Sequence, residues 1–210
     1  MKSKTLDLQT AADYLVKQDP KLAPIIISRG LPTFTPHTNY YQELVDSIIS
    51  QQLSVKAART IEERFMNLFG GNFPSPEQIL TRSIEELRGV GLSRPKAAYI
   101  QDLAQKILDS TVTFDTLDGL SNEEIVAELT KVKGIGEWTV HMFLIFCMGR
   151  LDVLPIGDLG IRNGVQKLYS LDHVPLPNEV TEIAESHHWA PYESVASWYV
   201  WQSLNNAPSL

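Results

Sequence analysis

The sequence predicts an all-α fold, and three observations support that prediction. Apolar residues recur at helical spacing through most of the 210 residues, as they do within residues 41–49. Helix-start signals are frequent, the clearest being Ser121-Asn122-Glu123-Glu124. Only T-V-T-F near residue 111 alternates in the manner of a strand. With 43% hydrophobic and 20% charged residues, the chain suits one large or two small globular domains.

The predicted helices follow one another with short connections. Residues 8–15 show a short amphipathic pattern, and Asp19-Pro20 restarts the chain as a second helix. Ser54 caps a helix that runs through Phe69 and stops at Gly70-Gly71. Further starts are predicted for a short element at Pro74 and Pro76, a helix from Arg94-Pro95-Lys96 to about Leu108, and one from Ser121 toward Leu129.

Residues 132–142, V-K-G-I-G-E-W-T-V-H-M, place two glycines between a predicted helix 122–130 and a predicted helix 137–148. Gly134 and Gly136 permit a tight turn and let another molecule approach the main chain closely. The first N–H groups of the following helix have no intrahelical partner, and they favour an anion. The pattern therefore predicts a phosphate site made largely of main chain. A plain compact helix–helix connection is the alternative.

The formal charge of −7 argues mildly against a polyanionic partner, although contact with nucleic acid is local. A main-chain phosphate site needs little positive charge. Residues 87–98 repeat the G-x-G pattern, so two helix–turn–helix units are expected. The basic residues near the two turns are Lys131 and Lys133 at the second, and Arg88, Arg94 and Lys96 at the first.

Several other classes of protein are disfavoured. The single cysteine, Cys147, excludes an intrachain disulfide and a Cys-only metal cluster. His187 and His188 are adjacent and would point apart on a helix, so we expect no metal site there. No apolar run has the length of a membrane span, and the N-terminus lacks the apolar core of a secretory signal. We therefore expect an intracellular protein that makes no use of a membrane.

The extended pattern L-x-x-h-x-G-h-G-x-[WK]-T, with h an apolar residue, resembles the hairpin of the helix–hairpin–helix (HhH-GPD) DNA glycosylase superfamily. S-I-I-S-Q-Q-L-S-V-K-A-A upstream, L-P-I-G-D-L-G-I-R-N-G downstream and W-A-P-Y-E-S-V-A-S-W-Y-V-W near the end extend the resemblance over residues 40 to 205. Within the superfamily, the chain is most similar to the compact 3-methyladenine DNA glycosylases II. The hairpin residues expected to contact DNA are Lys133, Gly134, Ile135, Gly136, Glu137 and Thr139.

The resemblance implies two helical lobes with the active-site cleft between them. One lobe is expected to comprise residues 1–42 with 156–210, and the other residues 43–155 with the hairpin at about 122–148. The implied partner is damaged double-stranded DNA, bound by a monomer in the cytoplasm or nucleoid of a bacterium or in the nucleus of a eukaryote. No cofactor is implied, but some family hairpins hold a monovalent cation through backbone carbonyls, and the sequence leaves this open.

Asp158 begins the segment L-G-I-R-N-G-V-Q-K-L-Y, and its residue type alone favours a helix N-cap. The resemblance implies that it is catalytic. A carboxylate beneath the sugar stabilises the positive charge that builds up as the N-glycosidic bond breaks, and it orients or deprotonates the attacking water. The two roles do not exclude each other. Asp152 is the nearest competitor, but it lacks the motif position.

Trp138 occupies the position at which strand-cutting members of the superfamily carry a lysine that forms a Schiff base. Lys133 is out of register for that role, so the resemblance implies base removal by water without strand cutting. Core packing is the alternative for Trp138. Trp201 matches the second pocket aromatic, whereas Trp198 is assigned to the core. Stacked aromatic rings suit a positively charged alkylated purine.

Three positions depart from the bacterial pattern: Met142 replaces a tyrosine, Leu159 replaces an aromatic residue, and Glu193 stands where many relatives have arginine. The predicted base pocket thus comprises Trp138, Trp201, Met142 and Leu159. The predicted substrate is an alkylated purine such as 3-methyladenine or 7-methylguanine. Removal of deaminated bases, hypoxanthine or uracil, is the first alternative, and a non-catalytic DNA-binding protein is the second.

An enzyme that extrudes a base must fill the gap it leaves in the stack. In S-Q-Q-L-S, Gln52 is the predicted wedge and Leu53 the second candidate. The alternative is that Leu53 lies in the core while the glutamines satisfy backbone groups at a helix end. Lys56 and Arg59 are candidate phosphate contacts, with a solvated helix face as the alternative.

Overall fold

The computed structural model describes residues 7–204, and these residues form twelve α-helices and no β-strand. The all-α prediction is confirmed. Residues 111–114, the one expected strand, are irregular, with Val112 buried, so that expectation is wrong. No helix within residues 7–204 is long and apolar enough to span a membrane. The helices are α1 Leu8–Gln18, α2 Ala23–Arg29, α3 Tyr40–Ser50, α4 Val55–Leu68, α5 Pro76–Leu80, α6 Ile84–Gly89, α7 Arg94–Leu108, α8 Asn122–Leu129, α9 Glu137–Met142, α10 Leu159–Tyr169, α11 Pro177–Ser186 and α12 Glu193–Ser203.

Serine caps fix many of the helix starts. Ser54, Ser75, Ser83, Ser93 and Ser121 each accept a hydrogen bond from a backbone N–H in the first turn of the helix that follows. At three of these starts, the backbone N–H of the serine also donates to a Glu or Gln side-chain oxygen in the first turn. Each cap stabilises its helix by about 1 kcal/mol. The sequence predicts the starts at Ser54, Ser75, Ser93 and Ser121, because a cap and its target are only three residues apart, whereas the start of α6 after Ser83 was not predicted.

Two compact units make up the described chain, one of residues 7–37 and 144–204 and the other of residues 38–143. Both boundaries differ from the expected ones: the first lies at 37/38 rather than 42/43, and the second at 143/144 rather than 155/156, since residues 144–155 belong to the unit of the chain ends. Hydrogen bonds explain the second difference: Ser194 N donates to Leu151 O at 2.9 Å, and Val153 N donates to Ser194 Oγ at 3.0 Å. The helix expected over 137–148 is also corrected, because α9 passes at residue 143 into a π-helical turn, Phe143–Cys147.

In the unit of residues 38–143, α3 and α7 each bury a full face of apolar residues in the core. Leu44, Val45, Ile48 and Ile49 of α3 are fully buried. They repeat at the spacing of one helix face. The shorter helices α5 and α6 pack on α7, and α4 packs on α3. The hairpin pair α8 and α9 also pack together.

In the other unit, α12 is the central helix and packs against α1, α2 and α10. The largest fully buried side chains of this unit are Trp189, Tyr199 and Trp201. Trp198, which the sequence assigned to the core, is only half-buried and meets the Tyr199 ring edge-on, with 5.1 Å between ring centroids. His188 is exposed, as expected.

A buried carboxylate stabilises the unit of residues 7–37 and 144–204. Asp19 is 0% exposed, and its oxygens accept hydrogen bonds from Trp189 Nε1 at 2.8 Å, Lys21 N at 2.8 Å and the Tyr169 hydroxyl. Three chain segments therefore meet at one side chain: the connection after α1, the end of α10 and the segment before α12. Removing the carboxylate would leave buried donors without an acceptor, which is the costly way to break a buried polar network.

We expect Asp19→Ala to lower the free energy of unfolding by about 3–5 kcal/mol, because the Trp189 and Tyr169 donors lose their acceptor. Urea denaturation followed by tryptophan fluorescence measures the change. Asp13→Ala is the matched control, since Asp13 is exposed and accepts one bond from Gln9, and it should cost no more than about 0.5 kcal/mol. Equal midpoints for the two variants would contradict the stabilising role of Asp19.

Candidate active site

A cavity of about 740 Å³ lies within the unit of residues 38–143. It is lined by α3, by the turn after α3, by α4 and by α9. Trp138 forms part of the wall and is 46% exposed, so the core-packing alternative for this residue is wrong. Met142, also on the wall, is 2% exposed. The cavity is large enough for a purine base, and it presents one indole ring to solvent.

The hairpin turn joins α8 to α9, and its two glycines serve different purposes. Val132 and Ile135 are buried and anchor the turn. Gly134 has φ +82°, and a Cβ added there would lie 2.1 Å from a ring carbon of Tyr99. Gly136 has extended backbone, and an added Cβ would meet nothing within 4 Å. Gly134 is thus required by packing on α7, whereas Gly136 leaves an open main-chain face.

Three contacts fix the hairpin turn from outside. Lys133 N donates to Asp102 Oδ2 at 2.9 Å, and Lys133 Nζ lies 3.6 Å from Asp102 Oδ1. Gly134 O accepts from Gln51 Nε2 at 2.9 Å. The hairpin residues that were predicted to contact DNA differ in exposure. Ile135 and Thr139 are buried, with Thr139 on the cavity wall, whereas Glu137 is exposed. A monovalent cation at the turn carbonyls stays a prediction.

The turn after α3 carries the predicted wedge. Lys96 Nζ donates to Ile49 O at 2.8 Å and to Gln51 O at 2.5 Å, which fixes the C-terminus of α3. Gln52 is exposed with φ +57°, a backbone conformation that favours glycine or asparagine. Leu53 is 40% exposed, so its assignment to the core is wrong. Strained, exposed residues of this kind cluster at functional sites.

Carboxylates on the cavity wall were not identified from the sequence. Glu43 of α3 and Glu62 of α4 line the cavity, and burial raises the pKa of Glu62. Burial, together with the carboxylates of Glu62 and Glu43, raises the pKa of the neighbouring Asp46 to about 7. Arg59 lines the same wall, but it forms an ion pair with Glu63 at 3.3 Å. The spacing of Glu43, Ser47 and Ser50 on one face of α3 is the signal that the sequence offered.

Asp158 is the N-cap of α10 and is 9% exposed. One oxygen, Oδ1, accepts from Ile161 N at 2.7 Å and from Trp201 Nε1 at 2.8 Å. The N-cap interpretation is therefore correct, and a buried tryptophan also holds the carboxylate. A side chain at Gly160 would crowd this arrangement, since its Cβ would lie 2.9 Å from Oδ1.

The structure divides the predicted pocket residues between the two units. Trp138 and Met142 line one cavity, whereas Trp201 and Leu159 lie beside Asp158 in the other unit. Trp201 is 1% exposed and stacks on Phe146, with 6.0 Å between ring centroids, whereas Leu159 is 61% exposed. A base-stacking role for Trp201 stays a prediction, and the observed role is to orient Asp158. Glu193 is half-buried, and burial raises its pKa. Asp152, the competing carboxylate, is exposed.

The family model for the HhH-GPD superfamily of base excision DNA repair proteins matches residues 45–188. That range includes the hairpin, Asp158 and every residue of the cavity lining except Glu43. The chain belongs to this superfamily.

Relatives within the superfamily cover most of the chain. DNA-3-methyladenine glycosylase 1 of Schizosaccharomyces pombe is 39% identical over 165 residues, covering 78% of this chain and 72% of its own. The alkylbase DNA glycosidase-like protein mag2 of the same yeast is 32% identical over 205 residues, covering 95% of each chain.

Solved structures agree with this assignment. A DNA-3-methyladenine glycosidase from Bacillus halodurans matches with TM-score 0.81 and 36% identity, over 92% of this chain and 88% of its own. The S. pombe 3-methyladenine DNA glycosylase in complex with abasic DNA matches with TM-score 0.79 and 34% identity, over 96% and 99%. The predicted superfamily and fold are therefore confirmed.

The two hairpin glycines allow a paired test. Gly134→Ala should lower Tm by about 6–12 °C, because the methyl group meets the Tyr99 ring at a left-handed backbone position. Gly136→Ala should lower Tm by only about 2–4 °C, because alanine is a poorer N-cap than glycine by about 1 kcal/mol but its methyl group meets nothing within 4 Å. We expect it nevertheless to weaken binding to duplex DNA by placing a methyl group on the open face. If Gly136→Ala binds DNA as well as wild type, the turn is only a compact connection.

Asp46 should make stability depend on pH. Its pKa is raised from 3.8 to about 7 in the folded protein, so the folded state favours the protonated side chain. The stabilisation from this group is complete below pH 3.8 and is lost as pH rises through about 7. The asparagine of Asp46→Asn cannot ionise. The free energy of unfolding of this variant, relative to wild type, should therefore rise by about 1–2 kcal/mol from pH 5 to pH 8. Urea denaturation of both proteins at each of the two pH values measures this gap in unfolding free energy. A gap that does not change with pH would rule out titration of Asp46 in this range.

Proposed function

We propose that the protein is a monofunctional DNA glycosylase that extrudes alkylated purines and hydrolyses their N-glycosidic bond in base excision repair. One observation above all supports this: the carboxylate at the motif position, Asp158, is held by Ile161 N and Trp201 Nε1. The names of the relatives, 3-methyladenine glycosylases, support the same activity. The neighbours solved with DNA support DNA as the substrate.

Asp158 acts on the sugar. As the base leaves, positive charge develops on the sugar ring, and a carboxylate fixed in position stabilises that charge without reorganising. The same group orients the attacking water and accepts its proton. Because Oδ1 is fixed by two donors, the carboxylate is in place before the substrate arrives. An alkylated purine already leaves readily, so the mechanism needs no separate acid for the base.

Trp138 supports base removal without strand cutting. It stands at the position where strand-cutting members carry the attacking lysine, and an indole forms no Schiff base. Its exposed ring offers a flat face on the wall of the cavity. The proposed role of this ring is to stack on the extruded base. Gln52, exposed on its strained turn, fills the gap in the duplex, and the open main chain at Gly136 binds the backbone.

The acidic wall of the cavity supports alkylated over deaminated bases. Purines methylated at N3 or N7 carry a positive charge, whereas hypoxanthine and uracil are neutral. Glu43 and Glu62 on the wall, with Asp46 next to them, attract a cationic ring, and the Trp138 face adds a cation–π interaction. We further propose that the enzyme acts as a monomer in the compartment that holds the DNA.

The first experiment compares wild type with Asp158→Asn on duplex DNA treated with a methylating agent. Asparagine caps a helix as well as aspartate does, so the variant keeps the fold and loses only the charge. We expect wild type to release free methylated base, strands to break only after hot alkali, and the variant to be slower by about 100-fold or more. Asp152→Asn, at an exposed carboxylate, should retain full activity.

Three outcomes would contradict parts of the proposal. Strand breaks without alkali would show lyase activity and overturn the role given to Trp138. Full activity of Asp158→Asn would overturn its catalytic role. Duplex binding with no release of any base would favour the non-catalytic alternative.

The lesion preference is tested on single-lesion duplexes containing 7-methylguanine, hypoxanthine or uracil. Wild type should remove 7-methylguanine fastest in single-turnover assays, and Glu62→Gln should lower the ratio of 7-methylguanine to hypoxanthine rates. A preference for hypoxanthine or uracil, left unchanged by Glu62→Gln, would support the deaminated-base alternative.

A further inference from the structure

Two cations on α4 differ from the others in the unit of residues 38–143. That unit is described in full and contains ten Lys and Arg residues, of which eight bind a carboxylate or backbone carbonyl of the protein. The exceptions are Lys56 and Arg64, which form no ion pair or side-chain hydrogen bond with any of residues 7–204. The eight engaged residues are Arg59, Arg82, Arg88, Arg94, Lys96, Lys106, Lys131 and Lys133.

These two cations line one groove of about 420 Å³ on the side of α4 that does not line the Trp138 cavity. No carboxylate lines the groove. The hydroxyls of Ser54 and Thr60 lie on the same wall, and the far wall is formed at Gly91. Gly91 has φ +111°, and a Cβ there would lie 3.1 Å from Ile61, so the first G-x-G turn packs closely on α4.

The groove is continuous in sequence with the turn of the proposed wedge. Gln52 and Leu53 lead directly into Ser54, the N-cap of α4, and Lys56 lies in the first turn of that helix. The two faces of α4 thus differ in charge. The face on the Trp138 cavity contributes both Arg59 and Glu62, whereas the charged residues of the groove face are the cations Lys56 and Arg64.

We infer that the groove of Lys56, Thr60, Arg64 and Gly91 binds the phosphodiester backbone of the DNA on which the enzyme acts, at a second place besides the hairpin. Lys56 and Arg64 are eight residues apart on one helix, or about 12 Å along its axis, so they contact different phosphates. The Thr60 hydroxyl already donates its proton to Lys56 O, so the two cations make the phosphate contacts. This inference rests on the proposed function, since it adds a contact with the same substrate.

Charge complementarity favours a phosphodiester as the occupant. Within residues 38–143, seven of the ten cations form an ion pair with a carboxylate. Such a cation displaces few counterions when DNA binds, because its charge is already compensated. Lys56 and Arg64 form no ion pair with any carboxylate among residues 7–204, so each should release counterions from the DNA and add to the salt dependence of binding.

The test measures the affinity of wild type, Lys56→Gln, Arg64→Gln and the double variant for a duplex carrying a tetrahydrofuran abasic analogue, at several salt concentrations. Each single variant should reduce the slope of log K against log salt by about 0.9, and the double variant should reduce it by about 1.8. Lys56→Arg should restore the wild-type slope. Lys17→Gln, at an exposed lysine of α1, is the control for loss of one charge elsewhere.

The inference is overturned if the groove variants keep the wild-type slope, or change it no more than Lys17→Gln does. Single-turnover release of 7-methylguanine at saturating enzyme separates this result from the proposed function. If wild type binds the duplex with the expected slopes but releases no base, the groove stands and the proposed function fails.

Discussion

The hydrogen bond from Gln51 Nε2 to Gly134 O is the contact on which the site within residues 38–143 depends. It joins the turn after α3 to the hairpin across 83 residues of sequence. Lys96 holds the same turn from α7 through the carbonyls of Ile49 and Gln51. Because both turns are tied to rigid helices, the exposed Gln52 and the open face at Gly136 keep a fixed geometry. Preorganisation of this kind lets a site act on a substrate without first ordering itself.

Acidity and DNA binding are compatible here because the charges are segregated. A net charge of −7 would oppose a broad electrostatic contact with a polyanion. The hairpin avoids that difficulty by offering main-chain groups, and most cations of the unit are compensated by nearby carboxylates. The carboxylates of Glu43 and Glu62 face the cavity instead, where a cationic base gains from them. The same overall charge thus weakens non-specific binding and favours one class of base.

The sequence predicts the local features well and the long-range ones poorly. Caps such as Ser54, Ser121 and Asp158 are readable because each acts on a backbone N–H three residues away. The hairpin is readable because its glycines have to form a turn. The reason for Gly134 in particular is the Tyr99 ring on another helix, and no local pattern shows that contact. The bond from Trp201 to Asp158 spans 43 residues and is equally invisible.

At Asp158, the helix cap and the proposed catalyst are the same side chain. Seven helix starts within residues 7–204 have a side-chain cap, and five of the caps are serine. Serine and asparagine cap as well as aspartate, and a cap contributes only about 1 kcal/mol. Asp7, the other aspartate cap, is exposed, whereas Asp158 is buried, where a carboxylate pays a desolvation cost. Capping alone therefore gives no reason for a charge at this position. Stabilisation of a developing cation, of about 3–4 kcal/mol for groups of this kind, does give one.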